Sequence, residues 1–200
     1  MSTSTTINWP NTKDIPTEGA RPVWAKGLGT GLLSGWYRWA VARRVSHLGN
    51  RLRLVGRPVV INHGQLIIGN DVQLISDYQP TRLAVGAQAQ LKIGDGTVIN
   101  SSILAAQRQI TIGKDCRLAP FVHFMDSDFH DVGDRLADGK SGPIIIGDRV
   151  MIGAHTLILR GVTVGDGAEL LPGSVVTKDI PAGALAGGVP AKVLQRRMAG

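Results

Sequence analysis

The sequence predicts an all-β chain wound as a parallel β-helix, and three observations predict it. An aliphatic residue recurs at every sixth position, at Ile146, Ile152, Ile158, Val164, Leu170 and Val176. The fifth position of each unit is small or slender: Val150, Thr156, Val162, Ala168 and Ser174. Glycine is abundant, with 26 residues, whereas aromatic residues make up only 4% of the chain. A period of six matches neither the 3.6 of an amphipathic helix nor the 2 of an alternating strand. Short repeats of fixed period build solenoids, in which each turn buries its apolar face against its neighbours.

Each hexapeptide then reads as one flat side of a triangular coil. The first residue points inward and fills the middle, and the fifth sits near a corner that admits only a small side chain. Gly161, Gly167 and Gly173 fall at the bends, where a residue without Cβ tolerates positive φ. Upstream the rhythm is looser, with starts at Val55 and Ile61, Ile68 and Leu74, Ile93 and Ile99, and Ile112 and Leu118. Solenoids absorb insertions at their turns more readily than along their faces, so these shifts read as bulged corners. The coil is expected over 52–181. Residues 126–142 carry five aspartates and no aliphatic rhythm, and they are expected to leave the coil as a loop. Cys116 occupies a fifth position, which makes it a core residue rather than a nucleophile.

Residues 1–51 form an N-terminal extension. Within it, Leu33, Trp36, Tyr37, Ala40, Val41, Val45 and Leu48 follow helical spacing and predict an amphipathic helix over 30–50. Such a helix either lids the open end of the coil or, with Trp24, Trp36, Trp39, Arg38, Arg43 and Arg44, lies peripherally on an anionic membrane surface. A short helix is expected in the C-terminal segment, residues 182–200. The polar first residues lack the pattern of a secretory signal, no apolar run approaches the roughly 20 residues that span a bilayer, and the single cysteine precludes an internal disulfide. These features predict a cytoplasmic protein. The net charge of +7 comes with no nucleic-acid recognition module, so a phosphorylated cofactor or an anionic surface is the expected partner. Lys178, Lys192, Arg196 and Arg197 lie toward the C-terminal end.

The coil, the aspartate-rich loop with His130, the segment Val176-Thr177-Lys178-Asp179-Ile180-Pro181 and the run Gly187-Gly188-Val189-Pro190-Ala191-Lys192 together resemble the hexapeptide-repeat acyltransferases. The resemblance is nearest the branch of maltose, galactoside and polysaccharide O-acetyltransferases. It implies a left-handed coil, a homotrimer with active sites between subunits, and acetyl-CoA as co-substrate without a metal. It also implies that Asn100 lines the acceptor pocket and that Ala154, Pro172, Thr177, Lys178 and Lys192 border the cofactor.

An alcohol attacks a thioester only as its proton is removed, which calls for a base that titrates near neutrality. His130 is the expected base, set among Asp126, Asp128 and Asp131, with Asp128 also beside the acceptor. His123 is the second candidate, and His155 is expected to face outward. The expected reaction is transfer of acetyl to a sugar hydroxyl of a cell-surface saccharide intermediate. The alternatives are N-acetylation of an amino sugar, an inactive trimeric scaffold and a carbonic anhydrase-like metal site using His123, His130 and His155.

Overall fold

The computed structural model describes residue 37, residues 39–128 and residues 139–196. Among the described residues, nineteen strands wind into a left-handed β-helix of triangular section and a twentieth forms a terminal hairpin. Face A stacks β1 (His47–Leu48), β4 (Gln65–Ile68), β7 (Gln90–Ile93), β10 (Gln109–Ile112), β13 (Ile144–Ile146) and β16 (Thr163–Val164). Face B stacks β2 (Arg53–Val55), β5 (Gln73–Ile75), β8 (Val98–Asn100), β11 (Arg117–Leu118), β14 (Met151–Ile152), β17 (Glu169–Leu170) and β19 (Ala184–Gly188), and ends in β20 (Ala191–Arg196). Face C stacks β3 (Val59–Asn62), β6 (Arg82–Val85), β9 (Ile103–Ala106), β12 (His123–Met125), β15 (Leu157–Leu159) and β18 (Val175–Val176). Every pairing is parallel except β19 with β20, which is antiparallel.

The six-residue rule holds side chain by side chain. The predicted inward series from Ile146 to Val176 is buried, and so is the fifth-position series from Val150 to Ser174. Phe124 is the bulkiest of the fully buried side chains. Polar members of the interior are satisfied by corner carbonyls: Thr156 Oγ1 donates to Gly153 O at 2.7 Å, and Ser174 Oγ donates to Leu171 O at 2.6 Å. Cys116 belongs to this set, its Sγ lying 3.0 Å from Gly147 O, and burial pushes its thiol up to about 11. A thiol protonated at neutral pH is a poor nucleophile.

Three expectations need correction. The helix does not extend to residue 50: among the described residues it ends at Ala42, and His47–Leu48 is already the first strand of face A. Its buried Val41 and half-buried Tyr37, whose hydroxyl donates to Pro58 O, pack on the end of the core. The short C-terminal helix is also wrong over residues 184–196, where an antiparallel hairpin extends face B. In the first coil the inward residues are Leu54 and Val60, and Ile61 is 49% exposed. Alternation along a strand reverses with a one-residue shift, and the three consecutive aliphatic residues Val59, Val60 and Ile61 concealed which of them faces in.

Close contact between coils fixes where glycine is required. A Cβ on Gly165 would fall 2.4 Å from the Ala182 backbone nitrogen. Gly165→Ala is therefore expected to cost about 1–3 kcal/mol, read as a lower urea midpoint at unchanged slope.

Candidate functional site

Most of the described candidate residues lie at two edges of the prism, one on each side of face C. At the edge between faces C and A the chain leaves β12 and returns to β13. The stem of the predicted loop is closed by an antiparallel bridge between Ser127 and Ser141, by Asp128 N donating to Lys140 O at 2.9 Å, and by Gly142 N donating to Asp126 O at 2.9 Å. Asp126 is fully buried. Its Oδ1 accepts from Gln107 N at 2.7 Å, and its Oδ2 accepts from Arg108 N at 2.8 Å and Gln109 N at 2.7 Å. One carboxylate thus bolts the stem to the turn of the preceding coil. Asp128 is paired with Arg160 Nε at 2.7 Å, a half-exposed contact that orients the carboxylate and adds little stability. His130 and Asp131 lie outside the described residues, two and three positions beyond Asp128.

The edge between faces B and C carries Asn100, Ala154 and Pro172. Asn100 is half-buried, and its Oδ1 accepts from Ser101 Oγ at 2.9 Å. Ser101 in turn receives Tyr78 N at 3.1 Å. Ala154 and Pro172 occupy successive coils here, with Gly173 N donating to Ala154 O at 2.8 Å. The same edge holds a row of rings that sequence reasoning missed. Phe121 stacks on His155 at 4.7 Å between centroids and 14° between planes, and Tyr78 tilts against Phe121 at 5.9 Å. Phe121 and His155 both adopt positive φ, 64° and 58°. Phe121 and His155 lie three residues beyond the paired Leu118 and Ile152, so they stack, whereas the preceding coil is one residue short at Ser101: Ile99 pairs with Leu118, an offset of 19, and Ile103 with His123, an offset of 20.

The expected cofactor residues are divided between edges. Thr177 and Lys178 follow β18 at the edge between faces C and A, both exposed, in a turn held by Thr163 N donating to Asp179 Oδ1 at 2.7 Å. Lys192 is exposed on β20 opposite Gly187, beside face B. His123 is the first residue of β12 on face C, in register with Ile103 and Leu157. Among the described residues no three His, Cys, Asp or Glu side chains gather as a metal site.

With this geometry in view, comparison with known proteins is informative. The family described as bacterial transferase hexapeptide (six repeats) matches residues 143–178. The chain carries the bacterial transferase hexapeptide repeat. This hexapeptide-repeat chain is 52% identical over 57 residues to the 2,3,4,5-tetrahydropyridine-2,6-dicarboxylate N-acetyltransferase of Staphylococcus aureus, a match covering 28% of the chain and 24% of that enzyme. The match thus spans about a quarter of the length of that curated relative. Among solved structures, a hexapeptide-repeat-containing acetyltransferase from Vibrio cholerae complexed with acetyl coenzyme A is 27% identical, with 81% of this chain and 77% of that one covered and a TM-score of 0.58. A galactoside acetyltransferase in complex with coenzyme A is 25% identical, with 85% and 74% covered and a TM-score of 0.56.

Asp126 anchors the stem between β12 and β13 to the preceding turn. Asp126→Ala leaves three N–H groups without their acceptor and is expected to cost about 1–3 kcal/mol. Asp126→Asn is expected to lose nearly as much, because its NH2 group would face donors. Thermal unfolding of both variants measures the effect.

Proposed function

We propose that the chain is an acetyl-CoA-dependent O-acetyltransferase acting on a sugar hydroxyl of a cell-surface saccharide intermediate, with His130 as general base. The observation that carries this reading is the division of candidate residues between two edges flanking one apolar face. The exterior of face C is mainly apolar: Val59, Ile61, Ile103, Ala105, Met125, Leu157, Leu159 and Val175 are all at least partly exposed in the single chain, with Arg82 and His123 in register among them. A face of this kind, repeated around a threefold axis, is buried by cyclic packing. The edge bearing the His130 loop and Lys178 of one subunit then meets the edge bearing Asn100, Ala154 and Pro172 of the next. The proposed enzyme is a homotrimer with shared sites, and His123 sits inside the interface.

In the proposed reaction the His130 imidazole removes the acceptor hydroxyl proton as that oxygen attacks the thioester carbonyl. The carbon–sulfur bond breaks, and the proton leaves with the thiol of coenzyme A. Asp128, fixed by Arg160, is placed to orient the histidine or an acceptor hydroxyl. Small residues at Ala154 and Pro172 leave room for a thin pantetheine arm, and exposed Lys178 and Lys192 suit phosphate as point charges.

Transfer to an amine is a second reading, favoured by the N-acetyltransferase similarity over 57 residues. Attachment to a membrane surface is a further part of the proposal. No described helix is long and apolar enough to cross a membrane. However, residues 19–70 contain eight Lys and Arg and no Asp or Glu, which leaves fourteen basic against fifteen acidic residues in the rest of the chain. The entire positive excess therefore lies toward one end, where Trp39 is 54% exposed with the Arg43 guanidinium 4.7 Å from its ring. Basic residues with an exposed indole suit anionic headgroups.

His130→Ala is expected to lower acceptor-dependent release of coenzyme A by roughly 10²- to 10⁴-fold without shifting the unfolding temperature. Unchanged turnover sinks the mechanism. Alkali-labile product acetyl marks an ester, and alkali-stable acetyl marks an amide. Refolding a mixture of His130→Ala with Asn100→Ala is expected to restore activity, since some interfaces then pair an intact loop with an intact asparagine. No recovery argues against a site shared between subunits.

A further inference from the structure

The edge between faces C and A holds a second feature, three coils wide, on the N-terminal side of the His130 loop. The turns after β3, β6 and β9 enclose an open groove of about 500 Å³ lined by His63, Gln65, Gln88, Gln90, Arg108 and Gln109, among others. Gln65, Gln90 and Gln109 are in strict register across β4, β7 and β10. Parallel strands set them about 4.8 Å apart, close to the length of one sugar unit in an extended chain. Gln90 Nε2 donates to Gln65 Oε1, and Gln109 Nε2 donates to Thr111 Oγ1 at 3.3 Å. Those bonds orient the amides while leaving each with further donor or acceptor capacity toward solvent. The lining includes no carboxylate, and among the described residues the Arg108 guanidinium has no ion pair.

The groove is also joined to the loop stem. Asp126 accepts the backbone N–H groups of Arg108 and Gln109, two residues of the groove wall, and His130 follows four positions later. A ligand seated on the glutamine row therefore lies on the same rigid edge that projects the histidine loop.

We propose that this groove binds the sugar units adjoining the acetylated one, and that the acceptor is an acidic oligosaccharide. Three amides at the repeat of a sugar chain offer alternating donors and acceptors to hydroxyl groups, and Arg108 supplies a bidentate cationic partner for a uronate-type carboxylate, with the His63 ring beside it as a further hydrogen-bonding group. The proposal rests on the saccharide acetyltransferase reading and adds to it an extended, charge-selective acceptor site.

The test measures binding to the full chain of two homologous series of one to four units, galacturonic acid oligomers and neutral malto-oligomers, with coenzyme A binding followed on the same samples. Affinity for the acidic series is expected to rise roughly tenfold from one unit to four and to exceed that for the neutral series. Gln90→Ala is expected to remove most of the length dependence, and Arg108→Gln the preference for acid, while both variants keep wild-type affinity for coenzyme A. Affinity independent of length, or equal for the two series, overturns the proposal while coenzyme A binding leaves the acetyltransferase reading standing. A Gln90→Ala variant that keeps the length dependence, or an Arg108→Gln variant that keeps the preference for acid, overturns it as well. A chain that binds the acidic tetramer in this manner but not coenzyme A supports the groove and counts against the acetyltransferase reading.

Discussion

The structure depends on the parallel backbone ladder that joins each coil to the next. From β13, β14 and β15 to β16, β17 and β18 the partner of each paired residue lies eighteen positions on: Ile145 pairs with Thr163, Met151 with Glu169 and Leu157 with Val175, one pair from each face. Eighteen residues are three hexapeptides, so the ladder and the aliphatic period are one constraint seen twice. Any surplus residue has to leave at a corner, because a shift within a face would turn its inward side chains out. The corner at Ser101 is one residue short, because Ile99 and Leu104 are five apart where their partners Leu118 and Phe124 are six. Sixteen surplus residues leave between β12 and β13, where the offset rises to 34. The irregularities that carry candidate chemistry are thus placed by the regularity around them.

Rigidity at the corners comes from polar groups that the coil cannot leave unpaired. Buried hydroxyls of Thr156 and Ser174 are spent on corner carbonyls, and the Asp126 carboxylate is spent on three N–H groups of a neighbouring turn. Unpaired polar groups in a dry interior are costly, so these contacts hold each turn in one conformation. A loop growing from such a corner starts from a fixed direction, and the paired strands of its stem return the chain to the next face with no change in register.

Two edges around one apolar face give the molecule its functional logic. Neither edge gathers all the residues that acyl transfer calls for, since Asn100, Ala154 and Pro172 lie on one and the His130 loop with Lys178 on the other. In the proposed homotrimer, cyclic assembly through face C would bring unlike edges together, with the glutamine-lined groove on the edge from which the loop departs. On this reading the same prism supplies the interface, the base and the approach for a long acceptor.

The sequence by itself determined the core, because burial on a solenoid face depends only on position within six. The residues from Ile146 to Val176, the small inward row, Cys116 and the departure of the chain after Met125 were all legible. Tertiary structure alone decided which residues share an edge. Tyr78, Phe121 and His155 meet because coils stack, not because they are near in sequence, and the glutamine row depends on a register that irregular upstream spacing hid. The ends of the coil were misread for a related reason: Leu48 keeps helical spacing within a strand, and residues 191–196 form a hairpin because β19 offers them an edge to pair with. Periodicity encodes what faces inward, whereas contacts across the coil axis arise only when distant turns are laid one upon another.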